Sequence, residues 1–170
     1  MSRRMDYVIE LDQPAVALYE SFTSREYWDD LLTEHGRQVE TTLIRFTEDA
    51  GGTDIAFTHT LSRKDLPSVA AAVVPLNITV TREQHFDPFD PATSSARGHY
   101  KALVPAAPMD FGGTYLLCEA GAGSELRLSS LCTVRVPLIG SKIEQWVMNG
   151  LRGLFDAEGE FTHDWIASHY

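Results

Sequence analysis

Outside residues 14–36, the apolar positions up to Val136 recur at nearly every second residue. That period sets one face of a strand against a core and the other toward water. The stretches are MDYVIELD (5–12), RQVETTLIRFTED (37–49), TDIAFTHTLSRK (53–64), LNITVTREQHF (76–86), SARGHYKALV (95–104), MDFGGTYLLCE (109–119) and SELRLSSLCTVRV (124–136). Between them lie AGG, FDPFDPAT, PAAP and AGAG, the turn chemistry of antiparallel reversals. Two short helices are predicted after the first strand. Asp12 is an N-cap candidate and Pro14 a first-turn proline for PAVALYESF. TSRE (23–26) reads as a capping box for a second helix, with Trp28, Leu31 and Leu32 on its apolar side and Gly36 at its end.

Past Pro137 the period lengthens. A helix over 137–168 would run about 45 Å in a domain whose radius of gyration is about 15 Å, so it must cross the whole molecule. Ile139, Ile143, Trp146, Val147, Leu151, Leu154, Phe161 and Trp165 fall within about 140° on its helical wheel, with Gln145, Asn149, Arg152, Asp156 and His163 opposite. A coiled coil is excluded, because a seven-residue repeat begun at Ile143 and Trp146 next reaches Gly150 and Gly153. The sheet is the only partner long enough. The predicted fold is therefore one α+β domain over 1–170, a curved seven-stranded antiparallel sheet wrapped around a long C-terminal helix, with two short helices closing one end. Gly150 sits in the middle of the stripe. It implies either close packing or a kink there, or a cavity between helix and sheet.

Composition narrows the partners. A formal net charge of −10 opposes binding to phosphate backbones or anionic lipid, so nucleic acid is not an expected partner. The longest apolar run, VAAAVVPL (69–76), falls far short of a membrane span, and the start MSRRMDYVIELD lacks the apolar core of a signal peptide. A cytoplasmic protein is expected. Cys118 and Cys132 flank the EAGAGS turn at opposite ends of a hairpin, roughly 20 Å apart, and are expected as free thiols.

MDYVIELDQPAVALYESFTSREYW, followed much later by TVRVPLIGSKIEQWV, resembles an uncharacterised bacterial family, domain of unknown function 2505. That family lies in the START-like superfamily, also called the SRPBCC, polyketide cyclase/lipid-transport or helix-grip fold. The likeness spans essentially the whole chain and is most specific at VPLIGSKIE. It implies a deep pocket for a lipid, polyketide, sterol or other hydrophobic small molecule, and no catalytic motif to carry over.

Strand alternation nominates the pocket wall. Ile55, Phe57, His59 and Leu61 point inward, as do Ile78, Val80, Arg82 and Phe86, then Tyr100, Ala102 and Val104. Phe111, Tyr115 and Leu117, and Leu126, Leu128, Ser130, Cys132 and Val134, complete the set. The polar members need partners, because an unpaired buried polar group costs roughly 1–3 kcal/mol. Glu158, beside Leu154, Phe155 and Phe161, either pairs with Arg82 or His59 inside the pocket or snorkels at the stripe's edge. The ligand-binding candidates are thus Phe57, His59, Arg82, Tyr100, Phe111, Tyr115, Ser130, Trp146, Gly150, Leu154 and Glu158. LPSVAAAVVPL (66–76) reads as a short helix over one mouth of the cavity, as gate or as fixed lid.

Histidines at 35, 59, 85, 99, 163 and 169 show no metal-ligand spacing, and GxSxG, GxxxxGK[ST] and GxGxxG are absent. No metal or cofactor is expected. Three readings follow: a noncatalytic binder of a hydrophobic small molecule, a cyclase- or hydratase-type enzyme with Glu158 or His59 as acid or base, and an interaction module whose core is filled by its own side chains.

Overall fold

The computed structural model describes residues 1–74, 76–105 and 107–170. Pro75 in the expected lid and Ala106 in the PAAP turn lie outside the described residues. The strands are β1 (Ser2–Leu11), β2 (Thr41–Asp49), β3 (Gly52–Leu61), β4 (Ile78–Phe86), β5 (Ser95–Leu103), β6 (Met109–Ala120) and β7 (Gly123–Val134). The helices are α1 (Ala15–Phe22), α2 (Arg25–His35), α3 (Ser68–Ala71) and α4 (Gly140–His169). The strands form one sheet in the order β1-β7-β6-β5-β4-β3-β2, every neighbouring pair antiparallel. α1 and α2 carry the chain from the β1 edge to the β2 edge, and a meander returns it. This is the helix-grip architecture that the periodicity predicts.

Local signals explain the joints. The β6–β7 hairpin closes with Ala120 opposite Gly123, and Gly121 takes φ +58°, where a side chain would be strained. Cys118 therefore pairs with Glu125 and Cys132 with Phe111, at opposite ends of the hairpin, and both cysteines are free. In β2 a bulge between Leu43 and Arg45 leaves Ile44 exposed, so Leu43 and Phe46 both pack against the core. The VPLIGSKIE junction is a turn with tight demands. Leu138 has φ +68° and is fully exposed, and Gly140 abuts the Val134 carbonyl too closely for a Cβ. Glu144, buried on α4, accepts the Val134 amide at 2.9 Å.

Two capping expectations are corrected. Asp12 does not cap α1; the Glu119 carboxylate of β6 accepts the Ala15 amide at 2.8 Å instead. Thr23 donates back to the Tyr19 carbonyl, so TSRE forms no capping box, and no side chain caps α2. In both cases a tertiary or preceding-helix partner wins over the local one.

The core is the inner face of the sheet closed by α1, α2 and α4. From α2 it takes Tyr27, Trp28, Leu31 and Leu32, each at most 6% exposed. α4 buries Ile143, Glu144, Met148, Phe155, Gly159, Thr162, Trp165 and Ile166, a face turned by roughly 80° from the stripe predicted by periodicity. Trp146, Val147, Leu151, Leu154 and Phe161 are only half-buried. The rotation arises because three buried positions are not apolar side chains. Gly159 lets Ile9 of β1 approach, Thr162 meets the Tyr27 hydroxyl at 2.9 Å, and Glu144 holds the β7 end.

Candidate functional site

Alternation along β4 turns Arg82, Gln84 and Phe86 to the inside. α4 brings Glu158 over them. The Arg82 guanidinium donates to both carboxylate oxygens, at 2.7 Å and 3.5 Å, and the two side chains are only 14% and 17% exposed. Phe57, the cross-strand partner of Arg82, lies beneath the guanidinium with its ring centroid 4.9 Å from Cζ. The cation is thus held by a carboxylate on one side and a ring face on the other.

Two glycines seat the tyrosines beside this pair. Gly98 pairs across strands with Tyr115, and Gly113 with Tyr100. A Cβ on either would collide with the opposing ring, so each tyrosine lies flat over bare backbone. The rings continue into an aromatic wall. Tyr100 stacks on Tyr115 at 5.4 Å, Tyr115 on Phe86 at 4.9 Å, and Phe86 on Phe22 at 5.5 Å. Their hydroxyls find partners: Tyr100 with Ser130 Oγ at 2.5 Å, and Tyr115 donating to Gln84 Oε1 at 3.4 Å. Gln84 is buried and was missed from sequence, although strand alternation places it on the same face as Arg82 and Phe86.

These groups line a narrow cavity of about 50 Å³ between sheet and helix. Arg82, Tyr100, Tyr115 and Glu158 open onto it, while Ser130 and Phe57 support them from behind. Phe111 packs against Tyr100, and His59 against Phe57, outside the lining. Trp146 and Leu154 are half-buried and do not reach it. Gly150 is exposed, and a Cβ there, as at Gly153, would meet nothing within 4 Å among the described residues. The expectation that Gly150 hollows the helix–sheet contact is therefore corrected: Gly150 and Gly153 lie away from the buried face, and the α4 glycines that meet the sheet are Gly140 and Gly159.

Burial dominates the protonation states. It raises the Tyr100 hydroxyl and lifts that of Tyr115 well above its ordinary value of 10. His59 is pushed down to about 4, first by burial and then by the Arg82 charge, with Glu158 opposing. His35, at the end of α2, is lowered by burial and shares the field of the same ion pair, a neighbour that sequence spacing does not reveal. On the far surface the ligating atoms of Glu26, Asp30 and His169 lie within 4.8 Å of one another. All three are exposed and Asp30 accepts from the Trp165 indole at 2.9 Å, so the cluster has a structural use without an ion.

The family described as protein of unknown function (DUF2505) matches residues 6–166. The chain belongs to the DUF2505 family. An uncharacterised protein of Mycobacterium tuberculosis is 29% identical over 99% of both chains. Among solved structures, this DUF2505 chain resembles TTHA0849 from Thermus thermophilus at 12% identity, with a TM-score of 0.59 over 99% of each chain. It also resembles norcoclaurine synthase from Thalictrum flavum, solved with dopamine and hydroxybenzaldehyde, at 13% identity and a TM-score of 0.57 over 100% of this chain and 89% of that one. At such identities the likeness establishes the START-like fold and nothing finer. No helix among the described residues is long and apolar enough to cross a membrane.

Proposed function

We propose that this protein binds a small molecule with a flat apolar body and a polar head, held between the concave sheet and α4. The observation that carries this reading is the Arg82–Glu158 pair, two charges largely out of water on the wall of an aromatic-lined cavity. A buried ion pair is often no more stabilising than apolar residues of equal volume. A ligand head that the pair orients supplies the missing reason for it. Stacked Phe86, Tyr100 and Tyr115 favour a ring-bearing ligand of polyketide or sterol type over a flexible acyl chain. The related fold of norcoclaurine synthase, solved with dopamine and hydroxybenzaldehyde, supports a ring-bearing occupant.

A cavity of about 50 Å³ admits a few waters and no aromatic ring. Binding therefore requires an outward shift of the α4 segment that carries Phe155 and Glu158, with α3, which packs on α4, acting as gate. A noncatalytic role is preferred to acid–base chemistry. Both Glu158 oxygens face Arg82, and His59, with its pKa at about 4, is a weak base near neutrality. We place the binding in the cytosol, a compartment that keeps Cys118 and Cys132 as thiols.

Native mass spectrometry of gently purified protein tests this. A stoichiometric adduct, extractable as a ring-bearing compound and bound at least tenfold more weakly by Tyr100→Phe and Arg82→Gln, is the expected result. A bare chain mass, together with no saturable one-to-one binding of 8-anilinonaphthalene-1-sulfonate, would leave the filled-core interaction module as the correct reading. Glu158→Gln that keeps affinity for the extracted compound while abolishing its turnover would establish the enzyme.

A further inference from the structure

The sheet has two open edges, and they differ. β2 carries a bulge that breaks its regular pairing edge. β1 pairs with β7 in unbroken register from Ser2 to Leu11, has no proline, and among the described residues no strand pairs with its other edge. An edge of that length is a template for another strand unless something blunts it.

α4 runs alongside this edge in the same direction as β1. Tyr7 donates to Asp156, Ile9 packs against Gly159, and Asp12 lies 3.9 Å from His163. Between helix and edge lies a groove of about 550 Å³, lined on one side by residues 8–12. Its charge is of one sign. Glu10 of β1 and Asp12 just past its end line it, with Asp156, Glu160, Asp164 and the neutral His163 from α4; among the described residues no lysine or arginine lines it. The three α4 carboxylates are four residues apart, a repeat of about 6 Å along the helix. Alternate residues of an extended strand repeat at about 6.6 Å. A row of cations on one face of an added strand would match a row of carboxylates.

We propose that the β1 edge docks an extended, lysine- or arginine-bearing segment of a partner protein, which adds to the sheet as a further strand. Main-chain hydrogen bonds to β1 give the affinity, and the Asp156–Glu160–Asp164 row selects basic side chains at every second position. A second copy of this chain is the poorer occupant, because it carries a net charge of −10 and the acids of two grooves would face each other. The site is separate from the interior cavity and stands or falls without it.

The test titrates the whole protein with a fluorescein-labelled peptide of alternating lysine and valine, seven residues long, and with a control in which proline replaces each valine. Expected are saturable binding of the first peptide, at least tenfold weaker binding of the control, and slowed amide exchange confined to residues 7–12. Glu160→Lys combined with Asp164→Lys, both exposed positions, should weaken the first peptide at least tenfold without lowering the melting temperature. Equal binding of both peptides would reduce the groove to unspecific charge attraction and overturn the proposal. So would protection at β2, or protection of residues 7–12 by self-association in the absence of peptide.

Discussion

Glu158 and Glu160 sit two residues apart on α4 and face different solvents. Glu158 turns inward, where little water can screen it, and is held by Arg82 over the Phe57 ring. Glu160 turns outward into the acidic groove beside β1, where water solvates it and no cation is needed. The two sides share Ile9, Leu11 and Gly159, so a single layer of side chains separates them. Sequence position therefore says little about what a charge requires; the water left around it decides.

The sharpest way to break this comparison is to remove the partner from each side. Arg82→Met strands the Glu158 carboxylate and should cost about 3–5 kcal/mol in urea unfolding, with much of it restored by Arg82→Met combined with Glu158→Leu. Glu160→Gln should change stability by no more than about 0.5 kcal/mol. Similar losses for the two single variants would show that both carboxylates are equally solvated. The glycines of α4 sharpen the same contrast at smaller scale. Gly159→Ala places a Cβ 3.0 Å from Ile9 Cγ2 and should destabilise by about 1 kcal/mol, relieved by Ile9→Leu, which lacks that methyl. Gly150→Ala enters open space and should stabilise by about 0.5–1 kcal/mol through helix propensity, read as a rise in melting temperature.

The last effect is a slope. His59 has a folded pKa of about 4 against an ordinary value of 6.5. Between those values the unfolded chain binds more protons than the folded one, so stability falls as pH drops from 6.5 toward 4. His59→Gln should flatten that part of the stability–pH curve while leaving stability above pH 7 little changed. An unaltered slope would mean that water reaches the ring.

Much of the candidate site's geometry was legible before folding. The inward set of Arg82, Tyr100, Tyr115 and Ser130 follows from strand alternation, and a carboxylate at 158 among apolar neighbours asked for a cation. Gln84 was legible too, and Gly98 and Gly113 inside strands were a signal that large rings would lie over them. His35 was not, because only the path of α2 across the sheet carries it to the Arg82–Glu158 field. The buried face of α4 was misread for a definite reason: Glu144, Gly159 and Thr162 are buried through specific partners, which periodicity scores as exposure.

By itself, the sequence determined the seven strands, the helices near their observed bounds and the grip of a sheet on a long helix. Hydrophobic period and turn chemistry act over a few residues and need no distant partner. Only the tertiary structure decided the rotation of α4, the capping of α1 by Glu119, the pairing of Arg82 with Glu158 and the acidic groove beside β1. Each of these depends on which groups, far apart in the chain, exclude water from one another, and that exclusion exists only once the chain has closed.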